Sequence, residues 1–249
     1  MERTGVRVAL GLDCSCQPPL PSQTKPDLVP PASKNNSNGK PAVLFDLDGT
    51  LIDSIGLINA AMEYAFDTRE LRPSVAEWVA AIGTPLDGML RRWAVSDEDV
   101  IGLRARYREF QLAHHDAMTT AYPNTVETVV ALHEAGHPLA VVTSKLEAGA
   151  RRSLKFIGIE DRFQAVVGLD ATTRHKPLPE PVWHALDRLG SAREHAFFVG
   201  DSTHDMHAGN AAGVKTVAAL WGPYSRAELE TSQPTYWAAD ISEVRALVV

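Results

Sequence analysis

One pattern limits what this chain can fold into. Short apolar runs at residues 43–45, 139–142, 165–167, 196–199 and 214–220 alternate with stretches whose apolar residues fall at helical spacing. The helical stretches lie at 126–135, 147–156, 180–189, 204–212 and 241–249, and Gly136, Gly158, Gly190 and Gly213 follow the ends of the first four. An apolar run of this length, bounded by turn residues, reads as a buried strand, and glycine just past an amphipathic stretch reads as a helix stop. Strand and helix in alternation predict an α/β fold built on a doubly wound parallel sheet.

The alternation is interrupted once. After the first strand, residues 54–70, 75–82, 86–93 and 98–114 all carry helical periodicity and no strand pattern, with Pro73 and Gly83-Thr84-Pro85 as breaks. An all-helical cap over residues 54–121 is therefore expected, inserted into a core formed by residues 41–53 and 122–249. Residues 1–40 hold Pro18, Pro19, Pro21, Pro26, Pro30 and Pro31, then an Asn/Ser/Gly/Lys-rich stretch. Such a segment lacks the apolar residues to offset its ordering entropy, so a disordered tail is expected.

Composition excludes some classes of partner. The chain carries 24 Lys and Arg against 31 Asp and Glu, a formal net charge of −7, which argues against a nucleic-acid binder. No apolar run approaches the ~20 residues that span a bilayer, so no membrane partner is expected. The two cysteines, Cys14 and Cys16, both fall in the tail, and the apolar patch at 8–10 is too short for a signal-peptide core. A reducing, cytoplasmic setting is the expectation, with the chain a monomer or homodimer.

The strand ends carry the chemistry. The first run stops at Asp46-Leu47-Asp48-Gly49-Thr50. Two carboxylates there could hold a hard cation, divide nucleophilic and acid/base duties, or sit in an ordinary Asp-Gly turn. Thr143-Ser144-Lys145 ends a second run, Gly200-Asp201-Ser202 ends a third, and Lys176 follows a fourth. In a parallel sheet these ends share one edge, where ligands bind. A hydroxyl, a cation and a third carboxylate thus converge on Asp46 and Asp48. The nine histidines offer no comparable metal-ligand constellation.

These four segments, in this order and context, resemble the four motifs of the haloacid dehalogenase superfamily of phosphotransferases. The resemblance covers roughly residues 41–249, is nearest the phosphoglycolate phosphatase-like subgroup, and extends to Trp221-Gly222-Pro223-Tyr224. It implies a Rossmann-like core with a helical cap and a Mg²⁺-dependent phosphatase acting on a small phosphorylated metabolite. Asp46 is the implied nucleophile, forming an aspartyl-phosphate, and Asp48 the implied acid and base. The implied Mg²⁺ ligands are the Asp46 side chain, the Asp48 backbone carbonyl and Asp201, with Asp205 supporting them. Lys176 would orient Asp46 and offset phosphate charge, and Thr143 and Ser144 would hold phosphate. Lys145 is expected to face solvent.

In the resembling family a loop at the position of Gly83 and Thr84 screens the substrate, and Arg91-Arg92 could reach an acidic one. Relatives with other chemistry fit less well. A dehalogenase would not need Asp48, and residues 54–120 contain no lysine for the Schiff base of a phosphonate-cleaving relative. A sugar-phosphate mutase shares both carboxylates. A catalytically silent binder of a phosphometabolite would be expected to have lost one.

Overall fold

A computed structural model describes residues 39–248. The expected tail, with Cys14 and Cys16, lies almost wholly outside them. In chain order the elements are β1 (Ala42–Phe45), β2 (Ile52–Asp53), α1 (Ile55–Phe66), α2 (Val75–Val79), α3 (Leu86–Arg91), α4 (Asp97–His114), β3 (Thr120–Ala121), α5 (Thr125–Glu134), β4 (Leu139–Val142) and α6 (Glu147–Phe156). They continue with β5 (Ala165–Val167), α7 (Glu180–Leu189), β6 (Ala196–Gly200), α8 (Thr203–Ala212), β7 (Lys215–Ala219), α9 (Arg226–Glu230), β8 (Tyr236–Ala238) and α10 (Val244–Leu247).

Six strands form one parallel sheet in the order β5-β4-β1-β6-β7-β8. The chain builds β1, passes to β4 and β5 on one side, then returns to β6, β7 and β8 on the other. The winding direction therefore reverses at β1, and ligands bind at such a reversal in open α/β sheets. Asp46 is the first residue past that strand, its N–H bonded to the Val199 carbonyl of β6 at 2.9 Å.

Both faces of the sheet are buried, which explains the unbroken apolar runs. Val43 and Phe45 of β1 join Val141, Val199 and Val217 beneath α5, α6 and α10. Ala42 and Leu44 point the other way and pack with Ala140, Val142 and Phe198 against α7 and α8. The fold is the expected doubly wound α/β arrangement.

Helices α1–α4 have a hydrophobic core of their own. Ile58, Met62 and Phe66 of α1 pack with Trp78 of α2, Leu90 of α3 and Val100, Leu103 and Tyr107 of α4. Ser74 and Ser96 accept hydrogen bonds from the third residue of α2 and of α4 respectively, fixing where those helices begin. The segments that enter and leave this block pair with each other as an antiparallel ribbon, Ile52 opposite Ala121 and Asp53 opposite Thr120.

Several elements differ from the sequence expectation. The β2–β3 ribbon, β8 and α9 have patterns too short to read, and the closing helix is a single turn of 3₁₀ helix followed by α10. Ser144 and Lys145 precede α6, which begins at Glu147.

Leu44 is fully buried in the central strand, whereas Leu112 on α4 is 66% exposed. Leu44→Ala should cost roughly 2–5 kcal/mol. Leu112→Ala should stay within about 0.5 kcal/mol of wild type. Urea unfolding of both variants checks the pair.

Candidate active site

The site is built around a turn that only glycine permits. After Asp48 the chain folds back, with Leu51 N–H bonded to the Leu47 carbonyl and Gly49 N–H to that of Ile52, both at 2.9 Å. Gly49 has φ +92°, and a Cβ there would lie 2.4 Å from Asp201 Oδ2. Gly222 approaches from the other side, where a Cβ would lie 2.3 Å from the Cβ of Asp201. Trp221 fixes that approach by donating its indole N–H to the Thr50 carbonyl at 2.8 Å. The absence of two side chains lets the ends of β1 and β6 come together.

Asp46, Asp201 and Asp205 are all buried, and one carboxylate oxygen from each lies within 4.8 Å of the others. Lys176 Nζ, itself buried, reaches Asp46 at 2.9 Å and Asp205 at 2.6 Å. Asp205 divides its oxygens between two tasks. Oδ1 takes Lys176, while Oδ2 accepts from the Ser202 N–H at 3.0 Å and closes a capping box at the start of α8. Thr50 donates to Asp201 at 2.6 Å.

One cation among three buried carboxylates leaves excess negative charge, and the acidities respond. Burial pushes the Asp46 carboxyl from the ordinary 3.8 up to about 7; Lys176 opposes this and Asp205 reinforces it. Burial also drives Asp201 well above the carboxylate range, with Asp205 and Asp46 adding to the effect. Lys176 is raised despite the opposing effect of burial, because Asp205 and Asp46 both favour its charge. Asp46 Oδ1 makes no well-directed hydrogen bond although Lys176 is close. Buried oxygens, excess negative charge and an under-satisfied acceptor suit a hard divalent cation.

Asp48 sits in a different field. Burial works against its charge, but Lys145 at 2.7 Å and Ser54 at 2.6 Å outweigh it and hold the carboxyl below its usual range. Lys145 is thus not the solvent-facing side chain expected from sequence; only 16% of its side chain is exposed. The turn before α6 brings it across to the first motif, a contact 97 residues apart in sequence that no local pattern reveals.

Thr143 is buried, its hydroxyl accepting from the Lys145 N–H at 3.2 Å. Ser144 lies beside it but donates to the Gly83 carbonyl at 2.5 Å, joining the sheet edge to the helical block. Tyr224 holds the same loop by donating to the carbonyls of Ala80 at 2.8 Å and Ile82 at 3.2 Å. Asp46, Asp48, Gly83, Thr84, Thr143, Ser144 and Lys145 all line one cavity of about 360 Å³ between sheet edge and block. Lys176, Asp201 and Asp205 lie behind that surface. Arg91 pairs with Asp97 on the exterior, and neither Arg91 nor Arg92 lines the cavity; the arginines that do are Arg108 and Arg152.

Residues 43–219 match the family model described as haloacid dehalogenase-like hydrolase. The chain is 39% identical over 175 residues to pyrophosphatase PpaX of Halalkalibacterium halodurans, covering 70% of this chain and 80% of that protein. It is 37% identical over 207 residues to pyrophosphatase PpaX of Bacillus velezensis, covering 82% and 94%. A haloacid dehalogenase-like family hydrolase from Streptococcus pneumoniae superposes with a TM-score of 0.72 at 27% identity, covering 84% of this chain and 98% of that one. A predicted phosphoglycolate phosphatase from Haemophilus somnus shares the fold, with a TM-score of 0.78 at 24% identity and coverage of 84% and 98%.

The raised pKa values set a pH dependence. Between pH 3.8 and about 7 the folded protein keeps a proton on Asp46 that the unfolded chain has lost. Stability in chelator should therefore fall as pH rises through that window. Mg²⁺ should raise the melting temperature more at pH 8 than at pH 5.5, where protons compete for the same oxygens. In Asp46→Asn both dependences should shrink. Thermal unfolding across pH, with EDTA and with MgCl₂, measures all three.

Proposed function

The chain belongs to the haloacid dehalogenase-like hydrolase family, and on that footing we propose that it is a Mg²⁺-dependent phosphomonoester phosphatase working through an aspartyl-phosphate on Asp46. The observation that carries this reading is the pairing of two unlike carboxylates on one cavity wall. Asp46 is backed by Lys176, and Asp48, two residues on, is held by a separate set of partners. Two titratable groups whose surroundings separate their acidities are the usual basis for a division of catalytic labour.

In the first half-reaction an Asp46 oxygen attacks phosphorus and the ester oxygen leaves, taking a proton from Asp48. In the second, Asp48 takes a proton from water as that water attacks the phosphoryl group on Asp46, which regenerates the carboxylate and releases phosphate. Lys176 holds Asp46 in line and supplies a fixed positive charge, while Thr143, whose hydroxyl oxygen accepts from the Lys145 N–H, keeps its proton for a phosphate oxygen; Ser144 would join it only on giving up its bond to the Gly83 carbonyl. Mg²⁺ would be held by the Asp46 side chain, the Asp48 carbonyl and Asp201, and when bound it supplies further positive charge toward the phosphoryl oxygens. Asp205 keeps Lys176 in place.

Residues 54–121 act in this reading as a cap over the core formed by 41–53 and 122–249, with Gly83 and Thr84 facing the substrate and bulk water excluded on closure. The substrate is a small phosphorylated metabolite. Pyrophosphate and phosphoglycolate are the candidates raised by the names of the relatives and structural neighbours.

Asp46→Asn should lower kcat at least about 10³-fold on any phosphate ester, and full activity in that variant would sink the assignment. Asp48→Asn should slow alkyl phosphates more than p-nitrophenyl phosphate, whose leaving group needs no proton.

Lys145 holds Asp48 ionised, so Asp48 must regain a proton to act as the acid. Lys145→Met removes the cation that lowers its pKa. In that variant the limb of kcat/KM that falls as pH rises should move to higher pH. A pH–rate profile with an alkyl phosphate tests this, and a limb that stays in place would assign the proton donor elsewhere.

A further inference from the structure

The cavity is larger and less polar than a phosphate needs. Its volume of about 360 Å³ falls in the range of sites for organic ligands. Beyond Asp46, Asp48 and Thr143, much of its wall is apolar, and the apolar side chains come from separate parts of the fold. Leu57 and Ile58 enter from α1, Ile82 from the loop between α2 and α3, Leu86 and Met89 from α3, and Leu146 from the core.

The polar side chains that line the same space are mostly engaged. Lys145 pairs with Asp48. Arg152 donates to Asp116 at 3.1 Å and to the Leu112 carbonyl at 3.3 Å. His115 lies between Asp116 at 2.6 Å and Ser153 at 2.8 Å. Gln111 donates to Tyr107, and Thr84 to the Ala81 carbonyl. Arg108, an exposed residue, is the one cation lining the cavity that makes no ion pair among the described residues.

A second phosphate, as in pyrophosphate, would bring further negative charge against these aliphatic walls, where it would lose hydration with few free donors to replace it. A hydrocarbon there loses nothing and is removed from water.

Resting on the phosphatase reading, we propose that the preferred substrate is a monophosphate ester whose leaving group carries a hydrocarbon body of several carbons, with pyrophosphate a poor substrate. The phosphoryl group reacts at Asp46, the P–O bond to the organic alcohol breaks, and the alcohol departs with the proton from Asp48. Its carbon skeleton meanwhile lies against Leu57, Ile58, Ile82, Leu86, Met89 and Leu146.

The test is a kcat/KM series with Mg²⁺ over ethyl, propyl, butyl and pentyl phosphate, with pyrophosphate and p-nitrophenyl phosphate alongside. The four alcohols are nearly equal as leaving groups, so chain length reports on burial and not on chemistry. We expect a rise of about fourfold per added methylene. Pentyl phosphate should surpass pyrophosphate even though phosphate is the better leaving group. Leu86→Asn should flatten the series, a ratio that corrects for any general loss of activity. A flat series in wild type, a pyrophosphate rate above that of pentyl phosphate, or an unchanged slope in Leu86→Asn each overturns the proposal while leaving a phosphatase. No turnover of any ester, p-nitrophenyl phosphate included, would instead remove the phosphatase reading on which it stands.

Discussion

The arrangement at the sheet edge depends on one buried ammonium group. Lys176 bridges Asp46 and Asp205 with almost no contact with water. The three residues belong to different stretches of chain: Asp46 to the end of β1, Lys176 to the loop before α7 and Asp205 to the first turn of α8. Removing one member of such a network leaves an uncompensated buried charge, which is costly. Asp205 ties this network to the backbone through its bond to the Ser202 N–H, so the start of α8 and the site are set by the same side chain. Gly49 and Gly222 complete the arrangement from outside by leaving room for Asp201. The result is a pocket of negative charge that tertiary packing, not any local preference, holds together.

Much of the fold was legible because its strands are buried on both faces and its helices end at glycines, two signals that survive without a partner sequence. The meeting of Asp46, Asp48, Thr143, Lys176 and Asp201 was legible for a topological reason: each ends or follows a strand, and parallel strands share an edge. What escaped depends on contacts between distant segments. Lys145 looked like a surface lysine until the turn before α6 delivered it to Asp48. Arg91 and Arg92 looked available, yet Arg91 points at Asp97 while Arg108, in a stretch with no motif, reaches the cavity. The β2–β3 ribbon and β8 carry two and three residues, too few for any periodicity to register.

Relatives that are 37% and 39% identical to this chain over the aligned residues are named for pyrophosphate. The strand-end segments lie within the span that matches the family model, and in the proposed reading they handle a phosphoryl group, which presents the same atoms in every phosphate ester. In the same reading the helical block would meet the remainder of the substrate, and its inner surface follows from α1, α3 and α4 packing on one another around Trp78, Leu90 and Tyr107. Chemistry and choice of substrate would then answer to two separate hydrophobic cores.

The ribbon between the two parts has an architectural consequence. Chain entering the block at Asp53 and chain leaving it at Thr120 are hydrogen-bonded neighbours, and Tyr122 N–H holds the Leu51 carbonyl just beneath them at 3.2 Å. From the sheet's side the whole insertion closes like the loop of a β-hairpin, a connection that can be two residues long. Lengthening, replacing or shortening the block therefore shifts no strand of the six-stranded sheet out of register. Such a junction lets one sheet carry different helical insertions while its own register stays fixed.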